Sequence, residues 1–209
     1  WTVAGRVARA LPEGDAPSMV YTRHHSRELQ GKADRLDQLA MERADLIVGV
    51  SPWQVRTLLS ERPDLAARAV VVESGVELAQ AATPDAVVES LPDTSAARIL
   101  LLGRLHPVKG HATAFDAVRR LVATGRRVVL ACIGEGDLRP ELERLASSSP
   151  PDGSILLPGA TNDVAGALAW ADVLWVPSLR ESFGLVAVEG MAAGVPVVAS
   201  DSAGLADVI

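Results

Sequence analysis

The sequence predicts the α/β class, with parallel sheets covered by helices on both faces. Three observations carry this expectation. Strand-like and helix-like segments alternate along nearly the whole chain, the pattern of βα units. Several strands, such as Ile99-Leu100-Leu101-Leu102 and Val195-Pro196-Val197-Val198, are continuously apolar instead of alternating, as strands buried on both faces are. Hydrophobic residues make up 48% and charged residues 22% of the 209 positions, which suits a sizeable core and not a disordered chain.

Taken in order, apolar runs bounded by turn residues predict strands over 18–22, 46–50, 69–73, 98–102, 127–133, 154–157, 172–176 and 195–199. Helical patterns fill 32–44, 52–61, 110–124, 138–147, 163–170 and 184–193. Ser51 followed by Pro52 reads as a cap and a first helical residue. The stretch 78–97 lacks a period and carries Pro84 and Pro92, so it reads as a linker. The expected layout is therefore 1–77 as the last part of one Rossmann-like domain, 78–97 as linker, and 98–209 as most of a second. The chain starts at Trp1 and stops at Asp207-Val208-Ile209, where a helix has only begun, so it is expected to be a fragment.

Composition narrows the function. The net charge of -6 argues against a nucleic-acid binder, which shows a basic face. Cys132 is the single cysteine; it excludes an internal disulfide, fits a reducing, cytoplasmic setting, and reads as a small core residue. No apolar run approaches the roughly 18 residues needed to cross a bilayer. No Asp-x-Asp occurs, and four scattered histidines with one cysteine offer no metal-ligand spacing; no metal or cofactor is expected.

The most informative stretch is Glu181-Ser182-Phe183-Gly184-Leu185-Val186-Ala187-Val188-Glu189. It reads as a loop entering a helix. Gly184 lets the backbone approach a ligand, and a helix starting there aims free N–H groups at an anion such as a phosphate. Glu181 then stands at the mouth of that site and Glu189 about one and a half turns into the helix. Two carboxylates at an anion site are best explained as acceptors for sugar hydroxyls. Upstream, Gly103-Arg104-Leu105-His106-Pro107-Val108-Lys109-Gly110 follows a predicted strand, where ligands of open α/β sheets bind. Arg104 is suited to a diphosphate as a fork and Lys109 as a point charge. Of 20 basic residues only Lys32 and Lys109 are lysines, which marks Lys109 for a specific task. Gly134-Glu135-Gly136 follows the next strand, but Arg139 stands where a dinucleotide fingerprint needs its third glycine.

The stretch from Glu181 to Glu189 resembles the Glu-x7-Glu signature of the retaining nucleotide-sugar glycosyltransferases of family four, which have the GT-B fold of two Rossmann-like domains facing a cleft. The resemblance runs from about residue 18 to the end. It implies that the N-terminal domain is incomplete here. It also implies that Arg104 and Lys109 of the Gly-Arg-Leu-x-x-x-Lys-Gly element hold the donor diphosphate and stabilise it as it leaves. Glu181 accepts from sugar hydroxyls, aided by backbone N–H groups around Ser182, Phe183, Gly184 and Leu185, and Glu189 binds the ribose. Gly103 and Gly134 line the nucleotide cleft, and the segment at Leu157 meets the base through its backbone. His24, in Thr22-Arg23-His24-His25, faces the sugar. His25 carries less weight, and His106 and His111 read as loop and helix-surface residues. Glu42 and Ser51 read as structural, and Arg180 as solvated.

The activity implied is metal-independent retaining transfer from a UDP-sugar or GDP-sugar to a sugar, lipid or small-molecule hydroxyl, by a cytoplasmic protein whose missing N-terminal part is able to touch a membrane. This chain alone is expected to transfer poorly. The alternatives are another enzyme of the same fold, a nucleotide-sugar epimerase or glycan phosphorylase, and a non-catalytic nucleotide-sugar-binding module. Departures from the family pattern are Ser74 and Glu77 in the turn before the linker, Gly190 after Glu189, and Ala203-Gly204-Leu205-Ala206-Asp207 at the tail.

Overall fold

The structure, a computed structural model, describes residues 19–24, 32–76, 83–149 and 153–209. The chain divides into two compact units. The first takes in the described residues up to Ser74 together with Glu181–Phe183; the second comprises Gly75–Arg180 and Gly184–Ile209.

The first unit holds a parallel sheet of β1 (Val20–Arg23), β2 (Leu46–Gly49) and β3 (Ala69–Val71), in that spatial order. Helix α1 (Lys32–Arg43) and helix α2 (Pro52–Glu61) connect the strands. Tyr21, Met41, Ile47, Leu58 and Leu65 form the core. The Ser51 hydroxyl caps α2, accepting from the Gln54 N–H at 3.2 Å, while the Gln54 carboxamide accepts from Val50 N–H at 2.8 Å. Together they satisfy donors that a bare helix start leaves open. Glu42 is 3.7 Å from the Arg62 guanidinium.

The second unit is a five-stranded parallel sheet. It is built from β4 (Ala97–Leu102), β5 (Val128–Ile133), β6 (Gly153–Gly159), β7 (Val173–Val176) and β8 (Val197–Ala199), in the order β6-β5-β4-β7-β8. The run Ile99-Leu100-Leu101 is buried at every position because both faces are covered. Helices α4 (His111–Ala123) and α5 (Arg139–Ala146) pack on one face through Phe115, Val118 and Leu142, against Ile99, Leu101, Leu130 and Cys132. Helices α6 (Val164–Trp170) and α7 (Leu185–Ala192) pack on the other through Leu168 and Ala187, against Leu100, Ala131, Ile133 and Leu174. Cys132 is a core residue, its thiol pushed up to about 12 by burial.

The stretch expected to be a linker behaves differently in its described part. Helix α3 (Ala86–Glu89) forms there, and Leu91 with Val87 and Val88 joins the α6–α7 side of the second core. Asp85 makes this possible. Its carboxylate caps α3 by accepting from Val87 and Val88 N–H, both at 3.1 Å, and also accepts from the Thr161 hydroxyl at 2.7 Å and Asn162 N–H at 3.0 Å. Residues 77–82 and His25 lie outside the described residues.

Candidate functional site

In the second unit β4 lies between β5 and β7. The winding therefore changes direction at β4, and crevices outside the carboxyl ends of strands at such a point are where open α/β sheets bind ligands. A cavity of about 500 Å³ opens there. It is lined by Gly103 and Arg104 after β4, Gly134 and Glu135 after β5, Ala160, Thr161 and Val164 after β6, and Val186 and Glu189 from α7. This size suits a small-molecule ligand.

The loops around it are cross-bonded. Gly103 N–H donates to the Ile133 carbonyl at 3.0 Å, Leu105 N–H to Glu135 at 2.9 Å, and Gly134 N–H to Gly159 at 2.8 Å. Gly134 adopts φ +153°, and a Cβ there would lie 2.0 Å from the Gly103 carbonyl oxygen. Only glycine permits these two turns to touch. Lys109 lies over the first turn: a Cβ on Gly103 would sit 3.5 Å from its Cε and 3.9 Å from its Nζ. The Lys109 loop is joined to the loop after β7 by Leu179 N–H donating to the Val108 carbonyl at 2.8 Å. The Ser202 hydroxyl donates to the Ser178 carbonyl at 2.8 Å, and the Ser200 hydroxyl donates to the same atom.

Helix α7 starts as its sequence predicts. Gly184 is its N-cap at φ +99° with no side-chain cap, and a Cβ there would meet the buried Leu205 Cδ1 at 2.5 Å. Gly184 itself thus offers the first N–H groups of α7 no side-chain acceptor. Glu189 lines the cavity from the same helix, and burial raises its carboxyl above the usual range.

Four of the expected residues, Gly103, Arg104, Gly134 and Glu189, line one cavity. Lys109 is adjacent through Gly103. Glu181, Ser182 and Phe183 group with the first unit, as does His24, which is exposed just beyond β1. Leu185 opens α7 with its side chain exposed. The Leu157 carbonyl accepts from Arg139 Nη1 at 3.1 Å, and Ala160, Thr161 and Val164 line the cavity beyond this strand end. His111 corrects an expectation. It is only 2% exposed, because positions 111, 114, 115 and 118 form the buried stripe of α4. His106 is exposed, and its Nδ1 accepts from Val108 N–H at 3.3 Å. Arg180 is exposed.

The expectations omit Glu135, Arg139 and Asp85. Nothing in sequence signals the contact of Asp85 with Thr161, which is 76 residues away.

Residues 96–209, more than half of the chain, match the family model for glycosyl transferases group 1. The chain belongs to that family. The α/β fold, of the GT-B type, agrees with it. A GDP-mannose-dependent alpha-(1-6)-phosphatidylinositol dimannoside mannosyltransferase of Mycobacterium tuberculosis is 40% identical over 117 residues, 54% of this chain and 30% of that protein. A D-inositol 3-phosphate glycosyltransferase of Nocardioides sp. is 31% identical over 223 residues, 96% of this chain and 46% of that protein. The chain thus spans less than half the length of these curated relatives. Among solved structures, sucrose-phosphate synthase from Thermosynechococcus elongatus superposes with a TM-score of 0.75 at 24% identity, over 98% of this chain and 55% of that one. Anabaena HepE in complex with UDP-glucose gives 0.73 at 23%, over 90% and 54%. Both likenesses are in fold.

Proposed function

We propose that this chain carries the donor site of a retaining, metal-independent glycosyltransferase. It moves a sugar from a GDP-sugar or UDP-sugar to the hydroxyl of a sugar, lipid or small-molecule acceptor. The observation that carries the reading is the cavity at the carboxyl ends of β4, β5 and β6 in which Arg104 and Glu189 both take part, with Lys109 beside it. A relative named for GDP-mannose and a fold neighbour bound to UDP-glucose support a nucleotide-sugar donor.

The chemistry follows from charge. Breaking the bond between the sugar and the diphosphate leaves negative charge on the departing phosphate oxygen. Preplaced cations and the N-terminal end of α7 stabilise that charge as it develops, which lowers the barrier rather than merely tightening binding. Arg104 and Lys109 fill the cationic role, so none is assigned to a metal. Glu189 accepts from the ribose hydroxyls. By the family resemblance the role of acceptor for sugar hydroxyls falls to Glu181, that of backbone N–H donors to Ser182, Phe183, Gly184 and Leu185, and a contact with the sugar to His24. The Gly103 and Gly134 turns give the diphosphate and ribose close access to the backbone. The acceptor oxygen forms its new bond on the face the diphosphate leaves, and no protein nucleophile is assigned.

The test is turnover by the full-length protein. Lys109→Ala lowers kcat by about a hundredfold if Lys109 stabilises leaving-group charge. An unchanged rate removes Lys109 from the mechanism.

A further inference from the structure

The third glycine of a dinucleotide fingerprint is replaced by Arg139, and the structure shows what that side chain does. Its guanidinium makes five hydrogen bonds. Nε and Nη2 hold the two Glu135 carboxylate oxygens, each at 2.7 Å. Nη1 donates to Glu143 Oε1 at 3.0 Å and to the Leu157 carbonyl at 3.1 Å, and Nη2 donates also to the Gly134 carbonyl at 3.1 Å. A guanidinium has five N–H donors, so all are engaged.

The two carbonyls explain the arrangement. Strands β5 and β6 pair in register to Ala131↔Leu156 and resume at Ile133↔Gly159. Leu157 and Pro158 on β6 therefore stand against Cys132 alone, which is a β-bulge. Pro158 has no N–H to return to the ladder, and Arg139 takes the Leu157 carbonyl that the bulge turns away. Beyond the bulge the chain runs through Gly159 directly into Ala160 and Thr161, which line the cavity. Glu135, held by the same guanidinium, lines it as well; a Cβ on Gly159 would be 3.6 Å from its Oε1. One side chain thus fixes the ends of β5 and β6 and one wall of the cavity.

We propose that Arg139 is a positioning residue for the donor. It holds the bulged end of β6 and the Glu135 carboxylate so that the wall of Glu135, Ala160 and Thr161 is preformed for the nucleoside. The role rests on the donor-site reading above. Because that wall faces a part of the donor that does not react, its loss weakens binding of ground state and transition state alike, which appears in KM and not in kcat. Lysine cannot substitute, since a point charge lacks the fork that spans two carboxylate oxygens and two carbonyls.

The experiment compares full-length wild type, Arg139→Lys and Arg139→Ala by two measurements. The first is amide hydrogen exchange of the peptide spanning Gly159–Asn162, with no ligand present. The second is donor kinetics with UDP-glucose and GDP-mannose. In both variants exchange at Gly159–Asn162 quickens while the α4 core at Phe115 and Val118 keeps its protection. The donor KM rises by about tenfold, the effect of roughly 1.4 kcal/mol of lost preorganisation, with kcat within about threefold. Unchanged exchange at Gly159–Asn162 overturns the proposal whatever the kinetics show. Quickened exchange with an unchanged KM overturns its functional half. If wild type binds and turns over neither donor, the donor-site reading fails, and the exchange result still decides whether Arg139 holds the bulge.

Discussion

Replacing Gly134 by alanine is the sharpest perturbation of the cavity floor. The new Cβ would start 2.0 Å from the Gly103 carbonyl oxygen and 2.8 Å from its carbon. Ordinary contact needs about 3.5 Å, so the turns after β4 and β5 must separate by about 1.5 Å. Two hydrogen bonds span that gap, Gly103 N–H to Ile133 and Leu105 N–H to Glu135. Breaking both costs about 2 kcal/mol, and forcing alanine to φ +153° adds about 1–3 kcal/mol. The sum, about 3–5 kcal/mol, is a large part of a normal folding free energy and corresponds to a fall in Tm of about 6–20 °C for a chain of this size. Calorimetric unfolding measures it, with nucleotide titration on the same samples. A fall under about 2 °C with binding intact would refute the close-contact argument.

Other outcomes follow from particular groups. His111 is buried; burial first, and the Lys109 charge second, hold its pKa below the ordinary 6.5 against a smaller opposing pull from the His106 backbone. Protons therefore bind the unfolded chain more readily, and the stability that neutral His111 allows is lost as pH falls below about 6.5. His111→Leu flattens the Tm–pH curve on that side, and a curve of unchanged slope would count against it. Asp85 is held at about 2 by the Thr161 hydroxyl and the α3 amides. Its contribution is present above the ordinary 3.8 and fades toward about 2. Asp85→Asn lowers Tm at neutral pH and reduces the acid sensitivity of that window, read by circular dichroism melts. Equal acid profiles for the two proteins would reject the assignment.

Much of the fold is legible because its signals are local. The eight strands fall within a few residues of their expected places, since each is a short apolar run between turn residues. Ser51-Pro52 marks the start of α2, and Gly184 the start of α7. What escaped depends on partners distant in sequence. Helix α3 has four residues and owes its anchorage to Asp85, whose acceptor role reaches Thr161 and Asn162 across the chain. His111 sits between a lysine loop and a helix, and only the packing of Phe115 and Val118 shows that it faces inward. At the cavity, Gly103, Arg104, Gly134 and Glu189 were readable because glycine turns after apolar strands and charges beside them leave marks in the sequence. Arg139 was not, because two of its acceptors are backbone carbonyls, and a carbonyl belongs to every residue type.

The most direct test of the central claim is calorimetric titration of UDP and GDP into the full-length protein and its Arg104→Ala variant. Micromolar binding of one nucleotide, lost in the variant, is the predicted result and identifies the donor base. A folded protein that binds neither nucleotide, or an Arg104→Ala variant that binds as tightly as wild type, would contradict a diphosphate site at the carboxyl end of β4.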